Sequence, residues 1–78
     1  MSAAWYLAIM MKTTAGWTND IKPAETEIRC FDRARATWSA YWMEGKENDD
    51  EMRVMCFEEP YNKRYWIRCA KSGMCTLK

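Results

Sequence analysis

Two tryptophans and a tyrosine share one face of residues 32–45, DRARATWSAYWMEG, and a face of that kind needs a broad surface to cover it. At about 100° per residue, Ala34, Trp38, Tyr41 and Trp42 fall on a single stripe. This is the i, i+4, i+7, i+8 spacing of a helix laid on a core. Asp32 is a favoured N-cap type and Gly45 a favoured residue just past a helix end. The pattern predicts a helix from Asp32 to Gly45. The strand-like segments on either side are the candidates to receive its aromatic stripe.

The chain of 78 residues makes one domain near the lower end of what a single core supports. With 49% hydrophobic residues and only three Gly and two Pro, it is not a disordered tract. Five Trp and seven Met let a small core bury much area, and the same residue types are favoured on recognition surfaces. A net charge of +1 excludes a strongly acidic nucleic-acid mimic and a strongly basic coating protein. The charge is uneven, however. Glu44 to Glu59 holds seven acids and two bases, and Pro60 to Lys78 five bases and no acid. One face of each sign is therefore expected, or two ordinary solvated surfaces.

Cys30, Cys56, Cys69 and Cys75 form no C-x-x-C, and the chain has no His, so no metal site is expected. The even count allows disulfides in an oxidising compartment. Ala3 to Met11 is apolar, but it lacks a basic segment before it and a small-residue cleavage site after it. It is also too short for a membrane-spanning helix. The expectation is a cytoplasmic chain with free thiols acting as small core hydrophobes and no membrane partner.

Ala4 to Thr13 reads as a strand, with Trp5, Leu7, Ile9 and Met11 on one parity and Tyr6, Ala8, Met10 and Lys12 on the other. Thr14 to Lys22 carries Gly, Asn and Asp and reads as a long hairpin loop closed by Pro23. Glu25 to Phe31 alternates, with Ile28 and Cys30 on one side and Glu27, Arg29 and Phe31 on the other, and reads as a second strand. After the helix comes a polar loop, Lys46 to Asp50. Glu51 to Glu59 and Arg64 to Lys71 then form a hairpin around Pro60–Lys63, in which Cys56 faces Cys69 if the loop runs from Pro60 to Tyr65, and Ser72 to Lys78 is a tail. The expected fold is α+β, in β-β-α-β-β order: a four-stranded antiparallel sheet with one helix packed on one face. The helix stripe should meet Leu7, Ile9, Ile28, Cys30, Val54, Cys56, Ile67 and Cys69.

Parity assigns to the other face Tyr6, Ala8, Met10, Lys12, Arg29, Phe31, Arg53, Met55, Phe57, Trp66 and Arg68. A solvated sheet face is normally more polar than this, and an exposed apolar patch marks a contact site. Tyr6, Arg29, Phe31, Arg53, Phe57, Trp66 and Arg68 are the candidate partner-binding residues, because aromatic and Arg residues dominate interface energetics. The partner is a protein or a second copy of the chain. Aromatics interleaved with Arg also suit single-stranded nucleic acid. The competing reading covers the face with the Thr14–Lys22 loop, Trp17 folded down, and with the C-terminal tail. Arg33 and Arg35 in the helix's first turn either pair with nearby acids or form an anion site with the free backbone N–H groups.

Catalysis finds little footing. There is no His to act as a general base near neutral pH. Ser2, Ser39 and Ser72 stand outside any nucleophile motif, and three isolated glycines make no phosphate loop. A small ribonuclease drawing on Tyr65, Arg68 and Glu58 is the remaining enzyme option. The chain reads as a non-enzyme without a cofactor.

The step Ile28-Arg-Cys-Phe-Asp32 into Trp38 and Trp42, followed by the closing hairpin Met52 to Ala70, resembles in size and element order the small phage-encoded inhibitors of bacterial defence, anti-CRISPR proteins among them. The resemblance covers most of the chain. It implies stoichiometric binding to a host protein or ribonucleoprotein complex in the host cytoplasm.

Overall fold

The computed structural model describes residues 4–60 and 63–78. Five strands and one helix follow in the order β1 (Ala4–Thr13), β2 (Gly16–Pro23), α1 (Glu27–Met43), β3 (Met52–Glu59), β4 (Arg64–Cys69) and β5 (Cys75–Leu77). The class is α+β, with one helix on an antiparallel sheet, as expected. The sheet has five strands rather than four, in the spatial order β2-β1-β3-β4-β5.

β1 matches its expected span, and β3 and β4 lie within theirs. Between β1 and β2 the chain turns at Thr14 and Ala15, so that Thr13 faces Gly16 and Lys12 faces Trp17. The segment expected to be a loop is therefore the edge strand β2. Its residues are exposed throughout, which is why no burial alternation marked it. Part of the turn expected over Pro60–Lys63 lies outside the described residues.

The strand expected over Glu25–Phe31 is corrected: Glu27 onward is helix. Thr26, not Asp32, is the N-cap, and its hydroxyl accepts the Arg29 N–H at 3.2 Å. Glu27 sits in the first turn, where the helix dipole favours an acid. The buried stripe runs Cys30, Ala34, Trp38, Tyr41, so the aromatic stripe simply extends four residues back. Ile28, expected beneath the helix, is 72% exposed on its outer side. The C-terminal end is as expected: Glu44 caps it and Gly45 takes a positive φ of 84°.

α1 lies across β1, β3 and β4. Trp5, Leu7, Val54, Cys56, Ile67 and Cys69 from the sheet meet Cys30, Ala34, Trp38 and Tyr41 from the helix in one core. Phe31 packs at its edge, 6.4 Å from the Trp5 ring and 5.8 Å from the Tyr65 ring. All four cysteines are bridged, Cys30 to Cys56 and Cys69 to Cys75, which corrects the expectation of free thiols. The first bridge ties helix to sheet in the middle of the core. The second joins β4 to β5 at paired positions. Cys56 stands opposite Tyr65 rather than Cys69, because the β3–β4 register is shorter than the hairpin estimate.

Candidate functional site

Alternation along the strands directs the remaining side chains to the sheet face away from α1. β1 contributes Tyr6, Ala8, Met10 and Lys12, β3 contributes Arg53, Met55 and Phe57, and β4 contributes Arg64, Trp66 and Arg68. β2 adds Trp17, Asn19 and Ile21 by register with Lys12, Met10 and Ala8. Among the described residues no element covers this face. The Thr14–Lys22 segment and the C-terminal segment, expected as possible covers, instead widen the sheet as β2 and β5. Trp17 (47% exposed), Ile21 (52%) and Trp66 (41%) therefore stand open.

The face is internally braced. Tyr6 and Phe57 stack with ring centroids 5.4 Å apart. The Arg53 guanidinium lies over the Trp17 ring at 5.2 Å, bridging β3 to β2 across β1. Arg68 reaches Asp49, in the loop after α1, with Nε to Oδ2 at 3.5 Å. A shallow groove runs between Met10, Met55, Phe57, Ile21 and Trp66, bordered by Arg64.

Of the seven sequence-predicted contact residues, Tyr6, Arg53, Phe57, Trp66 and Arg68 are brought together here. Arg29 and Phe31 are not: both lie on α1, on the other side of the sheet. Arg29 pairs with Glu25 at 3.2 Å, and Phe31 belongs to the core edge. The geometry expected of the Arg33–Arg35 anion site is also corrected. The helix begins at Glu27, so neither residue is in its first turn. Arg33 donates to the Pro23 carbonyl at 3.1 Å, and two residues of helix separate it from Arg35 by about 200°. The ribonuclease trio is dispersed as well, with Glu58 and Tyr65 on the helix side and Arg68 on the open side. Ile21 and Arg64 are members that sequence reading missed, and Trp17, expected only as a loop residue folded over the face, is part of it. The i, i+4 spacing of Trp17 and Ile21 places both on one parity of a strand, a signal masked by the intervening Asn19 and Asp20.

At one end of the face the sheet opens. The β3–β4 ladder runs from Phe57 opposite Arg64 to Val54 opposite Ile67 and stops there. Beyond that point, carbonyls of β4 that point toward β3 are met by the helix: Trp38 Nε1 donates to Ile67 O at 2.8 Å and Trp42 Nε1 to Cys69 O at 2.9 Å. Buried carbonyls need a partner, and the indole N–H groups supply one where the neighbouring strand does not. The parting leaves a cleft of about 370 Å³ with Trp38, Met52 and Ile67 at its base and Arg53, Trp66, Arg68 and Lys78 around its mouth.

Family models, curated proteins and solved structures yield no match to this chain or its fold.

Tyr41 closes the helix side near the same end. Its hydroxyl donates to the Asn48 carbonyl. Burial, and then the carboxylates of Glu51, Asp50 and Asp49, push its pKa above the ordinary phenol value. Among the described residues no cluster of His, Cys, Asp or Glu is arranged to hold a metal ion, and no helix is long and apolar enough to cross a membrane.

Proposed function

We propose that this chain is a small non-enzymatic binding protein that takes a protein partner on its open sheet face by stoichiometric association. The supporting observation is the face itself. Trp66, Trp17, Ile21, Phe57, Met10 and Met55 share it with cations around the edge, and it has no second layer among the described residues. An apolar centre with a charged rim is the anatomy of a protein interface. Aromatic side chains of this size provide the anchors that carry most of the energy in such contacts.

The finer reading is a phage-type inhibitor of a bacterial defence protein or CRISPR-like ribonucleoprotein complex. It draws on size and element order alone, the step from Ile28 to Asp32 lying within α1 rather than between strand and helix, and it assigns the chain to the host cytoplasm. Two disulfides fit an oxidising compartment better, since cytosolic thiols are kept reduced. The inhibitor reading therefore requires a fold that functions with its bridges open. Inhibition of a purified effector complex at one-to-one stoichiometry by the reduced protein supports it. Inhibition by neither form ends it.

Cations among aromatics also suit the second reading, a module for single-stranded nucleic acid. Photo-crosslinking from position 66 in host lysate, with and without nuclease, separates the two. Nuclease-resistant capture of a protein, lost in Phe57→Ala, is the expected result. Capture only of nucleic acid, with affinity falling steeply as salt rises, replaces the protein partner with the nucleic acid.

A further inference from the structure

The cleft where β3 and β4 part combines depth, an apolar base and concentrated charge on the open face. Arg53, Arg68 and Lys78 surround its mouth. One of them, Arg68, pairs with Asp49 through an exposed contact in which the two side chains are 63% and 43% accessible. Exposed ion pairs of this kind exchange readily, because solvent screens them and holding two long side chains together costs entropy. The Arg53–Trp17 contact is exposed in the same way.

Resting on the binding reading above, we propose that this cleft receives an acidic segment of a protein partner. The segment carries an Asp or Glu beside an aromatic or aliphatic residue. The apolar side chain enters the cleft beside Trp66, whose ring is 41% exposed, and the carboxylate replaces Asp49 on Arg68. Asp49 thus acts as an internal stand-in for the partner's acid, and binding exchanges one exposed ion pair for another that is shielded by the incoming chain.

Charge complementarity selects this occupant over the others. A second copy whose two-fold axis passes through the cleft would set the same cations against each other, a juxtaposition that disfavours association. Single-stranded nucleic acid needs free ring faces for its bases. Here Arg53 lies over one face of Trp17, and Tyr6 and Phe57 are stacked on each other, so the open ring surface is confined to Trp66 and the remainder of Trp17 rather than forming a continuous platform.

The test uses the intact, oxidised chain and fluorescence anisotropy with three labelled probes. The first is a short peptide alternating Glu with Leu and Trp, the second the same peptide with Lys for Glu, and the third a deoxythymidine oligonucleotide. The acidic peptide is expected to bind most tightly. Arg68→Ala weakens it on the order of tenfold or more, the loss expected for a charge-assisted hydrogen bond. Asp49→Asn, which removes the competitor, tightens it by about threefold. Both positions are solvent-accessible, and an unchanged thermal transition shows that the variants fold. Equal binding of the Lys peptide, tighter binding of the oligonucleotide, or indifference to Asp49→Asn overturns the proposal. If the peptide ignores Arg68→Ala but is lost in Trp66→Ala, the cleft is wrong and the open-face reading survives. If it ignores both, the two fall together. Light scattering that shows a dimer through this face, abolished by Trp66→Ala, also overturns the acidic-segment assignment.

Discussion

The two faces of this sheet come from alternate residues of the same strands, and their surroundings differ sharply. On the helix side Trp5, Leu7, Val54, Cys56, Ile67 and Cys69 are all at most 5% exposed. On the other side, neighbouring positions hold Trp66 at 41% and Trp17 at 47%. Residue type does not separate them, since both faces carry aromatics. The helix does, by laying a stripe of Cys30, Ala34, Trp38 and Tyr41 over one side. One helix about 10–12 Å wide spans little more than two strand spacings of about 4.8 Å. That is why α1 reaches β1, β3 and β4 and leaves β2 exposed on both sides. Apolar residues beneath the helix stabilise the fold by roughly 1.5–3 kcal/mol each. Those on the open face, such as Trp17 and Trp66, leave part of that area in water.

This contrast can be tested residue by residue. The largest effect is expected at Trp38, where truncation to Ala opens the core and orphans the Ile67 carbonyl. A loss of about 3–5 kcal/mol, measured by denaturant unfolding, is expected. A loss comparable to that of Trp66→Ala would show that the helix does not cover this side.

Removing the Cys30–Cys56 bridge with a double Ala substitution comes next. Its 26-residue separation corresponds to about 3–4 kcal/mol of chain entropy, against about 2 kcal/mol for Cys69–Cys75 with a separation of six. Peptide mapping of the unreduced protein should recover these two pairings. A Cys56–Cys69 link would break the register described above.

Tyr41→Phe is expected to cost on the order of 1 kcal/mol by deleting the hydrogen bond to Asn48. It also has a pH signature. The folded state holds the Tyr41 proton more tightly than the unfolded chain does. The stability it contributes is thus fully present below the ordinary phenol pKa of about 10 and is lost as pH rises through the higher folded value. Alkaline melts should show a shallower decline in Tyr41→Phe than in the parent chain. Identical slopes would remove Tyr41 from the buried side.

The smallest effects belong to the open face. Trp66→Ala should change stability by about 0.5 kcal/mol or less. Trp17→Ala should cost about 0.5–1 kcal/mol through the lost contact with Arg53. Larger losses in thermal melts would mean that this face is already part of the core.

Much of this contrast was readable from residue order. The stripe through Ala34, Trp38 and Tyr41 and the parities of β1, β3 and β4 placed Tyr6, Arg53, Phe57, Trp66 and Arg68 on one face correctly. Glu25–Phe31 was misread because seven residues are too few to tell period two from period 3.6. Ile28 and Cys30 fit an alternation, while Cys30 and Ala34 also fit a helix. Moving the helix start to Glu27 transferred Arg29 and Phe31 to the other side of the sheet. It also took Arg33 and Arg35 out of the first turn. β2 was misread for a different reason. An edge strand exposed on both faces has no need of apolar alternation, so Asn19 and Asp20 looked like turn residues.

Local chemistry was enough to establish a helix with an aromatic stripe, strands of defined parity and an apolar surplus on one side, because periodicity is a property of neighbouring residues. Strand pairing, the partner of each cysteine and the cleft between β3 and β4 depend on register between distant segments. A shift of a few residues in the hairpin changes which side chains meet, and the chain's own spacing does not reveal that shift. Only the folded sheet places Arg53, Arg68 and Asp49 together, on strands and a loop that are far apart in sequence.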